Sequence, residues 1–298
     1  MDGSLSVFFL SAGHGQRLRP LTERVPKPAI TFQGMSALEI NYKLSRRLNP
    51  ERTLCNVHHL WETMERQAWQ LGMEVLYEQV ILGTGGCLHQ ARSILEGTDH
   101  FLVHNGDLIH DIDLVELAAA HLASGNIATL AGVFRPANNT LSIDTQSRLL
   151  GVHGYSRIDG NREMTRLTFA GIALYRRDFL NYVAMGAHDI KQDWMAAMNA
   201  GESLGVVNCT HDSDWFDFGT PQGLWEASRF IMERAGQYSF QYHPGLAEAR
   251  PYVSNEAGQE DLPDHLRNVI VIENTQRPIP PNTHNCILGR NFRWNIQP

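Results

Sequence analysis

Short apolar runs alternate with stretches whose apolar positions recur at helical spacing. Residues 5–10, 53–57, 73–77, 101–104 and 127–134 read as strands. Between them, 37–48 reads as a helix with Leu38, Ile40, Tyr42, Leu44 and Leu48 on its apolar positions. So do 86–95 and 114–124, the latter with Asp113 placed to cap its first turn. Strand and helix in regular alternation predict an α/β, Rossmann-like chain: a mixed, mainly parallel sheet flanked by helices. Beyond about residue 135 the pattern loosens. "LLGVHGY" and "RLTFAGIALY" read as strands joined by the polar "SRIDGNREMT". "RRDFLNYVAM" and "DWMAAMNAG" read as helices, "SLGVVNC" as a strand, and Thr220-Pro221 as a clean helix start.

From about Ala235 helical periodicity fades, and brief β-like bursts appear among Pro and Asn. We therefore expect a main domain over 1–235 and a small β-rich or irregular extension over 236–298. One or two coils of stacked strands bury little by themselves. Such a tail would lean on the main domain or on a second copy, so a homo-oligomer through it is an expectation.

Charge and cysteine usage exclude more than they suggest. The net charge is −7 and no Lys/Arg run stands out, so no nucleic-acid footprint is present. The four cysteines, Cys55, Cys87, Cys209 and Cys286, form no CxxC and no dense pattern, which suits reduced thiols. No apolar run approaches the ~20 residues of a membrane helix. "SVFFLSAG" lacks the basic flank of a secretory leader. The expected location is the cytoplasm, with no membrane partner. His58, His59 and His110 have no metal-ligand spacing, and Trp215, Phe216 and Trp225 read as core aromatics.

The chemistry concentrates in "LSAGHGQRLRPLTERVPKPAI". A strand running into a glycine loop is a ligand edge in open α/β sheets. Gly13 and Gly15 let backbone N–H groups approach a phosphate. Arg17 and Arg19 offer permanently charged forks. Lys27 stands between Pro26 and Pro28, and a following proline biases it toward extended backbone, fixing its ammonium beside the loop. Neither the dinucleotide fingerprint nor a P-loop fits, for want of a third glycine and of GK[ST]. Taken whole, the string resembles the signature of the sugar-1-phosphate nucleotidyltransferases, (A/S)GxGxRLxPLTxxxPKP, and the likeness extends over roughly residues 5–230.

That resemblance implies the nucleotide-diphospho-sugar transferase type of fold and a set of roles. Ala12, Gly13, Gly15 and Arg17 would bind nucleotide, with Arg17 and Lys27 acting on the phosphates. Asp107 of "NGD" and Asp217 of "DFGT" would bind the catalytic Mg²⁺, a hard cation suited to carboxylates and phosphate oxygens. "YEQVILGTGG" would lie along base and ribose. It carries Glu78, whose carboxylate could accept base N–H groups, then Gly83, Thr84, Gly85 and Gly86. The family more often has Ala at Gly85. Gly171 would sit against the sugar. The Glu-Lys pair that often precedes it is here Glu163 and Arg166 with no lysine, so Arg166 or Lys191 would meet the acceptor phosphate.

The implied reaction is NTP plus sugar 1-phosphate giving NDP-sugar and pyrophosphate. The small bacterial enzymes acting on GTP with mannose 1-phosphate, or UTP with an amino-sugar 1-phosphate, have the most similar spacing. Two alternatives remain open: an inactive NDP-sugar sensor, and a cytidylyltransferase acting on a non-sugar phosphate.

Overall fold

The computed structural model describes residues 3–136, 139–155, 164–210, 213–234, 253–255, 266–273, 275, 279–281 and 283–297. The chain divides into two compact units. The first comprises residues 1–13, 41–106 and 110–215; the second comprises 14–40, 107–109 and 216–298.

The first unit is built on a nine-stranded sheet. Leu5–Leu10 lies between Arg52–Val57 and His100–Asn105, parallel to both, and Glu74–Tyr77 continues the parallel run beyond Arg52–Val57. Thr165–Arg176 lies antiparallel against His100–Asn105, Ala128–Val133 and Leu141–Ile143. Leu204–Asn208 then adds parallel to Ala128–Val133. The sheet is thus mixed and mainly parallel on the Leu5–Leu10 side, as the alternating pattern predicts. Val7, Phe8 and Phe9 are fully buried in succession, as expected of a strand covered on both faces. The core joins Phe8, Leu54, Phe101, Leu130 and Tyr175 with Leu88 and Ala91 of the helix Gly83–Leu95 and Trp194 of the helix Lys191–Asn199.

Asp113 caps the helix Leu114–Ser124 by accepting from the Val115 and Glu116 N–H groups. Several boundaries differ from the sequence reading. The helix Gly83–Leu95 starts at Gly83, ahead of the Gly86 that periodicity predicts. Ala37–Ser45 gives way to a 3-10 turn, Arg46–Leu48, before Asn49 turns left-handed at φ 50°. "RRDFLNYVAM" forms only the 3-10 segment Arg177–Tyr182, because its adjacent Phe179 and Leu180 are both buried and leave no single helical face. The helix Trp61–Gln70 goes unread in the sequence: it buries only Met64 and Ala68, and Trp69 is exposed.

In the second unit Thr220 caps the helix Pro221–Glu233 by accepting from Gly223 N–H. The hairpin Thr31–Phe32 and Met35–Ser36 turns through Gln33 and Gly34, both at positive φ. The tail is β-rich. Val253–Asn255, Arg267–Val271 and His284–Leu288 stack in parallel, and Arg293–Asn295 closes antiparallel. Leu266, Val269, Val271, Cys286 and Leu288 form its small core.

Candidate active site

The sharpest cluster of charge lies in the second unit. Lys27 is 6% exposed. Its Nζ is 2.9 Å from Asp107 Oδ2 and 2.8 Å from Asp217 Oδ1, and lies 4.9 Å from the centroid of the Phe218 ring. Local structure explains the meeting. Lys27 opens a 3-10 turn, Lys27–Ala29, pinned by the bonds Ala29 N–H to Pro26 O and Ile30 N–H to Lys27 O. The prolines therefore set the lysine in a turn, and not in the extended backbone that Pro28 suggests. Asp107 precedes the strand Leu108–His110 and Asp217 ends the strand Trp215–Asp217; these two strands pair. Phe218 is fully buried against Phe32, ring centroids 5.0 Å apart, and so forms a fixed floor.

Burial opposes the ammonium charge, but the two carboxylates outweigh it and raise the Lys27 pKa above its ordinary 10.5. Burial likewise opposes the Asp217 charge. Lys27, then Arg17 and the Gly219 N–H, outweigh it and hold the carboxyl below its ordinary 3.8. Arg17 reaches Asp217 Oδ2 at 3.4 Å and is 65% exposed, so its fork remains open to solvent and ligand. Both aspartates are partly exposed too. Two hard carboxylates converging on one cation position, with room for water and phosphate oxygens, form a donor set that fits Mg²⁺.

The signature glycines differ in kind. Gly15 is left-handed at φ 61°, and a Cβ there would meet Thr22 Cγ2 at 2.8 Å; Thr22 Oγ1 also donates to Gly15 O. Chain geometry demands this glycine. Gly13 has nothing within 4 Å of where a Cβ would stand, so the space beside it is open. Ala12 is buried and Arg19 exposed. Gly219 is not singled out by the sequence reading. A Cβ there would strike the Arg17 guanidinium and come within 3.0 Å of Asp217 Oδ1. The "DFGT" spacing carries that signal.

In the first unit, Glu78 follows the strand Glu74–Tyr77 and is buried. One carboxylate oxygen accepts from Asn56 Nδ2 at 2.6 Å, the other from Leu82 N–H at 2.8 Å. Gly83 opens its helix at φ 70°, where a Cβ would come within 2.5 Å of His188 O. At Gly85 a Cβ would strike the His188 ring and lie 2.7 Å from Asp193 Oδ2. This chain's own packing thus requires glycine at position 85. Gly86 faces Gly186 O equally closely. Gly85 N–H donates to His188 O, and Ile190 N–H donates to Thr84 Oγ1 at 2.9 Å. His188 Nδ1 donates to Gly186 O and Nε2 to Asp193, each at 2.8 Å. Burial lowers the ring's basicity, but these acceptors win, and its pKa is raised above 6.5. His188 and Asp193 escape sequence reasoning; the unusual Gly85 is the one hint.

Gly171 stands at φ 77° in a bulge of Thr165–Arg176, where the register against Ala128–Val133 shifts between Phe169 and Ala173. Trp215 Nε1 donates to Ala170 O at 2.8 Å and holds the bulge. Lys191 is one residue beyond Ile190 and pairs with Asp189 at 3.0 Å. Arg166 is exposed, opposite Ser142 in the ladder. Glu163 lies outside the described residues.

Among the described residues no helix is long and apolar enough to cross a membrane. The Nucleotidyl transferase family matches residues 7–141. A UTP–glucose-1-phosphate uridylyltransferase from Synechocystis is 25% identical, over 77% of this chain and 64% of its own. A mannose-1-phosphate guanylyltransferase catalytic subunit beta from Dictyostelium discoideum is 24% identical over 73% and 62%. The chain thus spans under two thirds of these two relatives. An N-acetylmuramate alpha-1-phosphate uridylyltransferase from Neisseria meningitidis is 28% identical over 75% of this chain and 96% of its own. HddC from Yersinia pseudotuberculosis, solved also as a complex with GMP-PN, shares the fold. Its TM-score is 0.60 at 18% identity, over 76% of this chain and 99% of that one. Together with the signature loop and its charged cluster, these matches make the chain similar to the sugar-1-phosphate nucleotidyltransferases, the family match itself spanning residues 7–141.

Proposed function

We propose that the protein transfers a nucleotidyl group from an NTP to a sugar 1-phosphate, releasing pyrophosphate. The convergence of Asp107 and Asp217 on the Lys27 ammonium carries this reading. It is a built cluster of charge, suited to phosphates and a divalent cation, in a chain similar to nucleotidyltransferases. The acceptor phosphate oxygen is already anionic, so in-line attack on the α-phosphorus needs neither a strong base nor a covalent intermediate. Catalysis is then positioning and charge stabilisation. Lys27 neutralises charge at the reacting phosphates, and Arg17 grips the pyrophosphate. Backbone at Ala12, Gly13, Gly15, Gly83, Thr84 and Gly85 cradles the nucleotide, and Gly171 admits the sugar. Arg166 or Lys191 meets the acceptor phosphate. Asp107 and Asp217 would hold Mg²⁺, which when bound supplies further positive charge to the phosphates.

The relatives favour two pairings: a uridylyl transfer to an amino-sugar or glucose 1-phosphate, and a guanylyl transfer to mannose 1-phosphate. The test is pyrophosphate release with Mg²⁺ from each of GTP, UTP, dTTP, CTP and ATP against a panel of sugar 1-phosphates. One productive pair is expected, and Asp107→Asn should lower its rate by about 10³-fold with the fold intact. Silence across the panel from a folded protein that still binds an NDP-sugar would make it a sensor. CTP-restricted turnover of a non-sugar phosphate would replace the acceptor class.

A further inference from the structure

A single hydrogen-bonded chain crosses the carboxyl edge of three adjacent parallel strands. Ser11, directly after Leu5–Leu10, donates its N–H to Asn56 Oδ1 at 2.6 Å. Asn56, in Arg52–Val57, donates Nδ2–H to Glu78 Oε1 at 2.6 Å. Glu78, directly after Glu74–Tyr77, accepts Leu82 N–H on Oε2 at 2.8 Å. The Glu78 backbone is pinned as well. Its N–H donates to Val57 O, and His58 Nδ1 donates to its carbonyl at 2.9 Å. Ser11, Asn56 and Glu78 are all 5% exposed or less.

The donor and acceptor pattern leaves one assignment. The Ser11 backbone offers only an N–H here, so the Asn56 oxygen faces it. The Asn56 amide N–H₂ then faces Glu78, whose two oxygens meet one donor each. The ends of the chain of bonds are two backbone N–H groups, at Ser11 and Leu82. Ser11 leads into Ala12 and Gly13; Leu82 leads into Gly83, Thr84 and Gly85. These are the two backbone segments given to the nucleotide above.

We infer that Asn56 and Glu78 are positioning residues which set the spacing of these two loops, and that Glu78 does not read the base itself. The inference rests on the nucleotidyl-transfer reading for its functional consequence. A buried carboxylate with both oxygens engaged inside the chain is a poor reader of an incoming base, since a new donor would compete with bonds that hold the loops. Its value lies in having two acceptor oxygens and no donor, which lets one residue receive both Asn56 and Leu82.

The test is an exchange of the two functional groups. Glu78→Gln places an N–H₂ where an oxygen was, so either the Asn56 or the Leu82 donor is left facing a donor. Asn56→Asp sets two carboxylates against each other. The double variant N56D/E78Q restores every bond. Its carboxylate at position 56 accepts from Ser11 N–H and from the amide N–H₂ at position 78, and the amide oxygen at position 78 accepts from Leu82 N–H. The expected result is an NTP KM and equilibrium Kd raised about ten-fold or more in each single variant, with kcat changed less. The double variant should return to within about three-fold of the parent. Amide hydrogen exchange at Ser11 and Leu82 in the nucleotide-free protein should accelerate in the singles and recover in the double. Exchange that recovers without recovery of NTP affinity would overturn the inference and make Glu78 a direct base contact. Unchanged affinity in E78Q would overturn it as well, and so would unchanged exchange at both amides. A parent that binds and turns over no NTP would sink the functional reading alone, because the exchange measurement needs no ligand. Should N56D fail to fold, E78Q and the double variant still decide, since only reciprocal pairing predicts that adding N56D helps.

Discussion

Two places in this molecule hold carboxylates, and they hold them differently. Asp107 and Asp217 meet full positive charges, from Lys27 and Arg17, and remain 31% and 41% exposed. Glu78 meets only neutral N–H groups and is buried. A charge answered by a charge at a half-open site can exchange partners when phosphates arrive. A carboxylate whose oxygens are taken up by the Asn56 side-chain amide and the Leu82 backbone N–H cannot exchange without breaking the bonds that tie those segments together. On the proposed function, acidic residues of similar prominence in the sequence would thus divide into groups that react to ligand and a group that shapes the place where ligand goes.

The largest expected effect breaks the first place. Lys27→Met removes the cation shared by Asp107 and Asp217 and leaves the two carboxylates facing each other. We expect turnover to fall about 10²–10³-fold, as on removing a preorganised charge stabiliser, checked by steady-state pyrophosphate release. An equally active variant would remove Lys27 from the chemistry. The same cluster has a pH signature. Asp217 has a depressed folded pKa, so its stabilising contribution is present above the ordinary 3.8 and is lost as pH falls through the lower folded value. Lys27 has a raised folded pKa, so its contribution is intact below 10.5 and is lost as pH climbs through the higher folded value. The stability gap between parent and D217N, read by denaturant melts, should therefore be open at neutral pH and close in strong acid.

The second place is tested next to the turn that Glu78 holds. Gly85→Ala drives a Cβ into the His188 ring and toward Asp193. Overpacking of this kind costs about 1–3 kcal/mol. We expect a lower Tm and an NTP KM raised several-fold, with kcat less affected. Adding His188→Ala should recover part of the loss, because it removes the atoms that the new methyl meets. A G85A protein indistinguishable from the parent would mean that the 184–190 segment yields freely and is no brace.

How far these sites are legible follows from where each constraint lies. The signature loop reads directly, since its glycines, arginines and lysine are close in sequence. The parallel strands read from their continuous apolar runs. Asp107 and Asp217 read only through the family resemblance, because a strand pairing between distant segments brings them together. Asn56 does not read at all, and His188 and Gly219 leave only indirect hints, in Gly85 and in the "DFGT" spacing. Each has its reason in a partner far along the chain: Ser11 and Glu78 for Asn56, Gly85 for His188, Arg17 for Gly219. Residue type alone says nothing of such partners. For Glu78 the type points to a ligand, while its bonds point inward.

The smallest expected effect sharpens the comparison with a third carboxylate, Glu273 in the second unit. It takes Arg24, which follows the turn Leu21–Glu23 of the signature loop, in a two-pronged ion pair of 2.9 and 2.6 Å, and also accepts Arg290 N–H. In partner it resembles Asp217, being charge against charge; in burial, at 16% exposure, it resembles Glu78. If burial and full engagement decide the role, Glu273 is structural. Glu273→Gln should then cost about 1 kcal/mol and leave kcat within about two-fold. Its folded pKa is depressed: burial opposes the charge, but the Arg24 hydrogen bonds outweigh it. The stability gap to the parent should hold above the ordinary 4.5 and vanish as pH drops through the lower folded value. Arg24→Lys keeps the charge but not the fork, and should retain part of that stability. A large fall in kcat for E273Q with an unchanged Tm would instead place charge pairing above burial in deciding which carboxylates serve the reaction.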